Sequence, residues 1–397
     1  MNNNQNFIEF DEQAENENDI DNDDLDFSSA VLSSTDWTTE TIINQINKNN
    51  IELNPSFQRR DAWTKSRKSN FIESLILGLP IPQLVLAERK DKRGTYIVLD
   101  GKQRLLTIRQ FAASNNDNDY IQLKLHGLDI RKDLVGKSLE TMKQDVLYFD
   151  DVSSFENQPI RTVVIRNWPN EEFLYHVFLR LNTGSVQLAP QELRQALHPG
   201  PFVSFIDNTS AENISLKEIL KIDVPDFRMR DNELLLRYIS FKSFMSDYSG
   251  NIKRFLDDTC EFYNINWQDT EQSIKQLVSD FDASHQRVKE IFGNHSYRKW
   301  FGGAYEVKFN RAIFDIMIGS FSIEEVRKRS IGHENEIEGA FKKLCAENYE
   351  FLSSIETTTK SLMSTYHRFM YWYSALNEIL GNVCPTLTFQ ENRIRVG

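Results

Sequence analysis

Cysteine is scarce in this chain. Three among 397 residues, Cys260, Cys345 and Cys384, stand too far apart for a metal-ligand pattern or a disulfide framework, and they suit a reducing cytoplasm. Long apolar runs are lacking too: none approaches the ~20 residues that a membrane span needs. The first residues hold no basic stretch followed by an apolar one, so no secretory signal is expected. These absences predict a cytoplasmic protein with no membrane partner. A Walker-type G-x-x-x-x-G-K-[ST] loop is missing, as is any internal repeat. So is a surplus of positive charge: Lys and Arg number 46 against 58 Asp and Glu, for a net charge of −12. Ten of the acids and no base fall within residues 1–30, which leaves about −2 for the remainder. A near-neutral body has no broad basic field, so strong nonspecific affinity for nucleic acid is not expected.

What is present reads as globular. Apolar residues make up 40 % of the chain and Phe occupies 27 positions, enough for a large core. The length allows roughly two or three domains of ~100–200 residues. Residues 1–33, rich in Asn, Asp and Glu, are expected to form a disordered acidic tail. Such a tail is ordinarily a solubilising extension; a sharper reading makes it an arm that competes with nucleic acid for a basic surface.

The stretch Thr95–Phe111, TYIVLDGKQRLLTIRQF, organises the rest. Tyr96 to Leu99 reads as a buried strand. Asp100-Gly101 is a turn signal, and Leu105, Leu106, Ile108 and Phe111 recur at helical spacing. The helix opens with Lys102, Gln103 and Arg104. Unbonded backbone N–H groups and the helix dipole favour an anion at such a start. Gly101 permits close approach to the backbone, and Arg104 can grip a phosphate with two hydrogen bonds. Taken alone, the pattern is equally that of a plain turn.

Upstream, Thr38 or Thr39 caps a helix over 41–49. Ile51 to Leu53 reads as a short strand. In FQRRDAW, Phe57 to Trp63, the residues Gln58, Arg59 and Arg60 sit between aromatics. That block is a solvated loop pinned by Phe57 and Trp63, or a second wall of a phosphate site, or a nucleic-acid contact. A helix over 65–77 stops at Gly78. A strand over 83–87 and a charged hairpin loop over 88–94 lead to the central stretch. Downstream, strands are expected at 120–125 and 160–165. Helices are expected at 139–149, 171–181 and 191–197, the last with Pro190 at its first position. This alternation predicts an α/β or α+β domain over 34–200. Beyond it, helical periodicity at 233–245, 252–263, 269–292, 305–320, 337–349 and 361–380 predicts a mostly helical domain over 201–397. The fold class of the whole is α+β. Trp300 to Gly303 and the stripe Tyr366, Phe369, Met370 and Tyr373 could stack on bases, but aromatics at helical spacing are usually core.

PSFQRRDAW, SLILGLPIP, VLDGKQRLLTI and FLRLNTGSVQLAPQELRQAL occur in that order. Together they resemble the N-terminal domain family of GmrSD-type modification-dependent restriction systems, over roughly residues 35–240. The family's Asp-Gly-Gln-Gln-Arg motif reads Asp100-Gly101-Lys102-Gln103-Arg104 here, with Lys in place of the first Gln. The resemblance implies a ParB/sulfiredoxin-like fold and a module that binds a nucleoside triphosphate, with NTPase activity as an added possibility. Carried over by position, Gly101, Lys102, Gln103 and Arg104 would form the nucleotide loop, with Gln58 and Arg59 lining the same pocket. Asn182 and Gly184 match the later Arg-Leu-Asn-x-Gly block, with Glu192 and Arg194 just beyond. Asp100 and Arg104 would take the catalytic roles. Arg59 and Arg104 neutralise phosphate charge, and Asp100 orients a water or holds Mg²⁺, which needs only one or two carboxylates beside a triphosphate.

Larger members carry a C-terminal HNH nuclease. None of the seven His here stands in an Asp-His-x-x-Pro context. The spacing from Arg327 to His333 is similar to that of HEPN ribonucleases, although two exposed polar residues placed by chance are the plainer reading. The expectation is therefore an NTP-binding sensor or regulatory subunit of a bacterial antiviral defence or restriction system, acting with a separate nuclease partner. DNA contact and a homo-oligomer are both compatible with it. The alternative is a stand-alone DNA nuclease or nickase that touches DNA through Gln58–Trp63. A third reading is an interaction protein whose Asp-Gly turn is only structural.

Overall fold

A computed structural model of the chain describes residues 29–51, 53, 60–181, 189–357 and 359–397. The expected acidic tail up to residue 28 lies outside the described residues, as do Gln58, Arg59, Asn182 and Gly184. The chain divides into two units, with the boundary between Leu197 and His198.

The first unit is built on a four-stranded sheet of β1 (Val31–Thr38), β2 (Leu84–Glu88), β3 (Tyr96–Asp100) and β4 (Pro159–Arg166), in the order β1-β4-β2-β3. β2 runs parallel to β4, and the other two pairs are antiparallel. Helices α1 (Thr39–Asn47), α2 (Lys65–Ile76), α3 (Lys102–Ala112), α4 (Leu139–Lys143) and α5 (Phe149–Asn157) cover one face, and α6 (Glu171–Leu181) and α7 (Pro190–Leu197) cover the other. The two-residue period of a strand sorts its side chains between them. Leu84 and Leu86 join the core of Ile72, Leu105 and Phe111, while Val85 and Ala87 join that of Phe173, Leu174 and Leu193. Because both faces are covered, β2 and β3 read as unbroken apolar runs rather than as alternation.

The expected helix starts and stops are largely present. Thr38 Oγ1 caps α1 by accepting from the Thr41 amide at 3.2 Å. Thr64 does the same for α2 through the Arg67 amide at 3.3 Å, and Gly78 ends that helix at φ +69°.

Three expectations differ from the structure. Ordered pairing begins at Val31, where β1 meets Arg166 of β4, although the tail was expected to reach residue 33. β1 (VLSSTDWT) is mostly exposed and polar through its middle, so it carries no alternating apolar signal. No strand forms at 120–125. Tyr120, Leu123 and Leu125 are buried on the layer of α2 and α3 while Ile121 is exposed, and the Leu123 amide donates to Gln110 O at 2.9 Å. The segment 139–149 breaks in two. Ser138 and Thr141 form a capping box for the short α4, and a 3₁₀ turn at Val146–Tyr148 leads into α5.

The second unit is helical, as expected. It contains α8 (Pro201–Glu212), α9 (Ile214–Leu220), α10 (Arg230–Phe244), α11 (Ile252–Ile265), α12 (Trp267–Phe292), α13 (Arg311–Phe321), α14 (Glu324–Ser330), α15 (Glu334–Glu347), α16 (Tyr349–Glu356) and α17 (Leu362–Leu380). These share one apolar core, which takes in Phe281, Phe314, Phe369 and Trp372. Two hairpins were missed. β5 (Trp300–Phe301) and β6 (Ala304–Tyr305) turn on Gly302-Gly303, so α13 starts only at Arg311, capped by Asn310 Oδ1 on the Ile313 amide at 3.0 Å. β7 (Leu387–Gln390) and β8 (Arg393–Val396) turn on Glu391-Asn392, both with φ near +50°. A Glu there hides a turn that Asn-Gly or Asp-Gly would have announced. Among the described residues no helix is long and apolar enough to cross a membrane.

Candidate functional site

The turn from β3 into α3 is shaped by its neighbours. A bulge in the β2–β3 pair sets Val85 opposite Asp100 and Leu86 opposite Val98, leaving Leu99 as the extra residue. Bulges re-aim the residues beside them, and here Asp100 is at the strand's end with its side chain 37 % exposed. Gly101 follows at φ +100°, a conformation that disfavours any side chain. Space excludes one as well: a Cβ would lie 2.3 Å from Leu84 Cδ2 and 3.2 Å from Arg104 Nη2. No side chain caps the start of α3, so its first amides and the positive end of its dipole face whatever occupies the turn.

Gly101→Ala should therefore destabilise the first unit by ~2–4 kcal/mol, combining a left-handed alanine with overpacking against a fully buried leucine. Urea denaturation of the variant checks this; a loss below ~1 kcal/mol would mean the turn relaxes freely.

Arg104 lies along the turn. Its Nη2 donates to Asp100 Oδ2 at 2.7 Å and to Gln83 O at 3.0 Å, which holds the guanidinium against the end of β2. Two polar atoms in this helical turn are buried without a hydrogen-bond partner, Arg104 Nε and Gln103 Oε1. Buried polar atoms are nearly always bonded, so an unmatched donor and an unmatched acceptor beside an uncapped helix start suit a ligand that offers both. Lys102 is differently employed. Its Nζ meets Glu192 Oε1 at 2.5 Å, with both side chains buried, and Glu192 Oε2 accepts from the Ala189 amide at 2.8 Å. That pair links the start of α3 to α7. The structure thus brings Asp100, Gly101 and Arg104 together at the turn, with the Gln103 amide oxygen buried beside it, and directs the Lys102 ammonium toward α7.

In the aromatic-basic block, Arg60 is buried, at 3 % exposure, and Asp61 to Trp63 are half-buried. Asp61 pairs with Lys68, and the Lys68 ammonium also donates to Gln110 Oε1 at 2.6 Å. Trp63 packs edge-on against Phe71 at 5.5 Å. Lys68 of α2 thus ties the block's Asp61 to Gln110 of α3, while Phe57, Gln58 and Arg59 lie outside the described residues. Sequence reasoning missed Lys68 and Gln110, because a buried pair on two helices 42 residues apart carries no local signal. Arg194 is also buried and meets Gln191 Oε1 at 2.5 Å.

Elsewhere, Arg327 donates to Phe321 O at 2.8 Å and to Asp280 at 3.0 Å, while His333 meets Glu336 at 2.6 Å. Each side chain is thus bonded to groups of its own. Phe369 and Tyr373 are buried in the helical core. Among the described residues no three His, Cys, Asp or Glu converge to form a metal cage; Asp100 is a single carboxylate, which suits only a cation that brings its other ligands along.

Residues 39–199 match the family model described as the GmrSD restriction endonuclease, N-terminal domain. No curated protein and no solved structure matches the chain.

Proposed function

Residues 39–199 belong to the GmrSD N-terminal domain family, and from that premise we propose that this component of a restriction or defence system is a nucleotide-binding regulatory subunit. The β3–α3 turn binds a nucleoside triphosphate, and occupancy of the turn is passed to a separate nuclease. The observation that carries this reading is the pairing of an uncapped helix start with a glycine that cannot be replaced without collision, flanked by the unmatched Arg104 Nε and Gln103 Oε1. The turn's amides and Arg104 would hold the phosphates, and Asp100 would hold Mg²⁺, which supplies neutralisation of phosphate charge. Both side chains are now bonded to each other. Binding therefore exchanges one charge-assisted contact for two, because Asp100 and Arg104 each turn to a partner of opposite charge. The alternative role for Asp100 in this reading is to orient a water for hydrolysis.

Isothermal titration of the full chain with each NTP and Mg²⁺ tests the proposal. Arg104→Ala should weaken binding by ~1.5–3 kcal/mol, roughly ten- to a hundred-fold, as expected for loss of a charged hydrogen bond. Absence of binding by the native protein, or equal binding by the variant, overturns it.

A further inference from the structure

We propose that the helical unit carries its own ligand site, a polar cavity that takes a small phosphorylated molecule of sugar-phosphate to mononucleotide size. The cavity has a volume of about 300 Å³ and opens where the end of α9, the end of α12 and the turn after α12 meet. That is the lower end of the ~300–1,000 Å³ range of ligand pockets.

Its floor is a relay of hydrogen bonds. Tyr297 Oη lies 2.8 Å from His285 Nδ1, and His285 Nε2 lies 3.3 Å from Glu218 Oε2. Lys289 Nζ donates to the same carboxylate oxygen at 2.8 Å, so the one acid lining the cavity is already matched. Lys289 accordingly holds the Glu218 carboxyl below the usual range, and burial holds the His285 imidazole below its own. Two further cations line the cavity, Lys221 and Arg298, and neither makes an ion pair among the described residues. The lining therefore carries two uncompensated positive charges. That is the complement of a phosphate dianion rather than of a single carboxylate, and an arginine can meet it with two hydrogen bonds. Phe309 supplies an apolar wall for the rest of the molecule.

The backbone is unusual at the same place. Lys221 and Tyr297 adopt positive φ, +53° and +63°. A tyrosine there is a genuine outlier. Its ring is nonetheless buried, lying nearly parallel to His285 and packed on Phe309 at 5.7 Å. Strain of this kind survives only where surroundings over-determine it, and it concentrates at ligand sites. Gly293, also lining the cavity, has nothing near its Cβ direction, which leaves the turn's backbone open to approach.

This inference does not depend on the nucleotide reading of the first unit, and the test separates them. The full chain is titrated calorimetrically with ribose 5-phosphate, with ribose and with inorganic phosphate. Ribose 5-phosphate should bind and ribose should not, with inorganic phosphate competing. Arg298→Gln and Lys221→Gln should each weaken ribose 5-phosphate at least ten-fold, with melting temperatures unchanged, since Lys221 is exposed and Arg298 only half-buried. Arg104→Ala should leave this binding intact. Equal binding of ribose, no binding of ribose 5-phosphate, indifference to both the Lys221 and Arg298 changes, or loss of binding in Arg104→Ala would each overturn the proposal.

Discussion

Asp315→Ala should cost the helical unit ~3–5 kcal/mol, the effect of stripping one partner from a buried ion pair. Asp315 lies on α13 with its side chain fully buried. Arg237 of α10 approaches as a fork, Nη2 to Oδ2 at 2.5 Å and Nε to Oδ1 at 3.1 Å. Arg368 of α17 comes to the same carboxylate at 3.4 Å and donates to Thr359 O at 2.5 Å. One carboxylate thus serves two buried guanidinium groups on separate helices. Removing it leaves two positive charges facing each other in an apolar core. Burial already holds the Arg368 guanidinium below its usual range, with Asp315 as the main opposing influence. Asp315→Asn should be milder, since the amide keeps an acceptor for Arg237. Urea melts read out both variants; a loss under ~1 kcal/mol for Asp315→Ala would mean that water reaches the network.

Glu192→Ala should cost the first unit a similar ~3–5 kcal/mol, and for the same reason: the Lys102 ammonium remains buried without the Glu192 carboxylate. The companion experiment is the double change Lys102→Met with Glu192→Met. Two apolar side chains of similar volume in place of a buried pair are commonly neutral or stabilising, so the double variant should melt near the native protein. A full double-mutant cycle then reports the coupling. If the two single losses simply add in the double variant, the pair is not an interacting unit. The outcome bears on the candidate site, because Lys102 is the residue at which this chain departs from the family's motif. Its pairing with Glu192 makes the substitution a link between α3 and α7.

How far the sequence could be read depended on the range of the forces involved. α6 and the β3–α3 turn were legible because periodicity, Asp-Gly and local caps act over a few residues. β1 was not, since its middle, Ser33 to Asp36, is polar, its Val31 and Leu32 are exposed, and it is placed by pairing with β4, 120 or more residues away. The alternation at 120–125 misled, because Leu123 and Leu125 are buried on helices without any strand partner, and Ile121, the next apolar residue of the series, is exposed. At the candidate site, Asp100, Gly101 and Arg104 were found from one contiguous motif. The engagement of Lys102 by Glu192, 90 residues away, was beyond any local pattern.

The sequence by itself determined the α+β class, the helical second half, the strand–glycine–helix turn and the match of residues 39–199 to a family model. Each of these follows from short-range chemistry: side-chain period, backbone freedom at glycine, and contiguous motifs. Only the tertiary structure decided which charges are matched. Burial removes water as the competing partner, so a side chain's role is set by what the fold brings within about 3 Å of it. Lys102 is thereby committed to Glu192 and Asp315 to two arginines, while Lys221 and Arg298, beside a cavity, make no ion pair among the described residues.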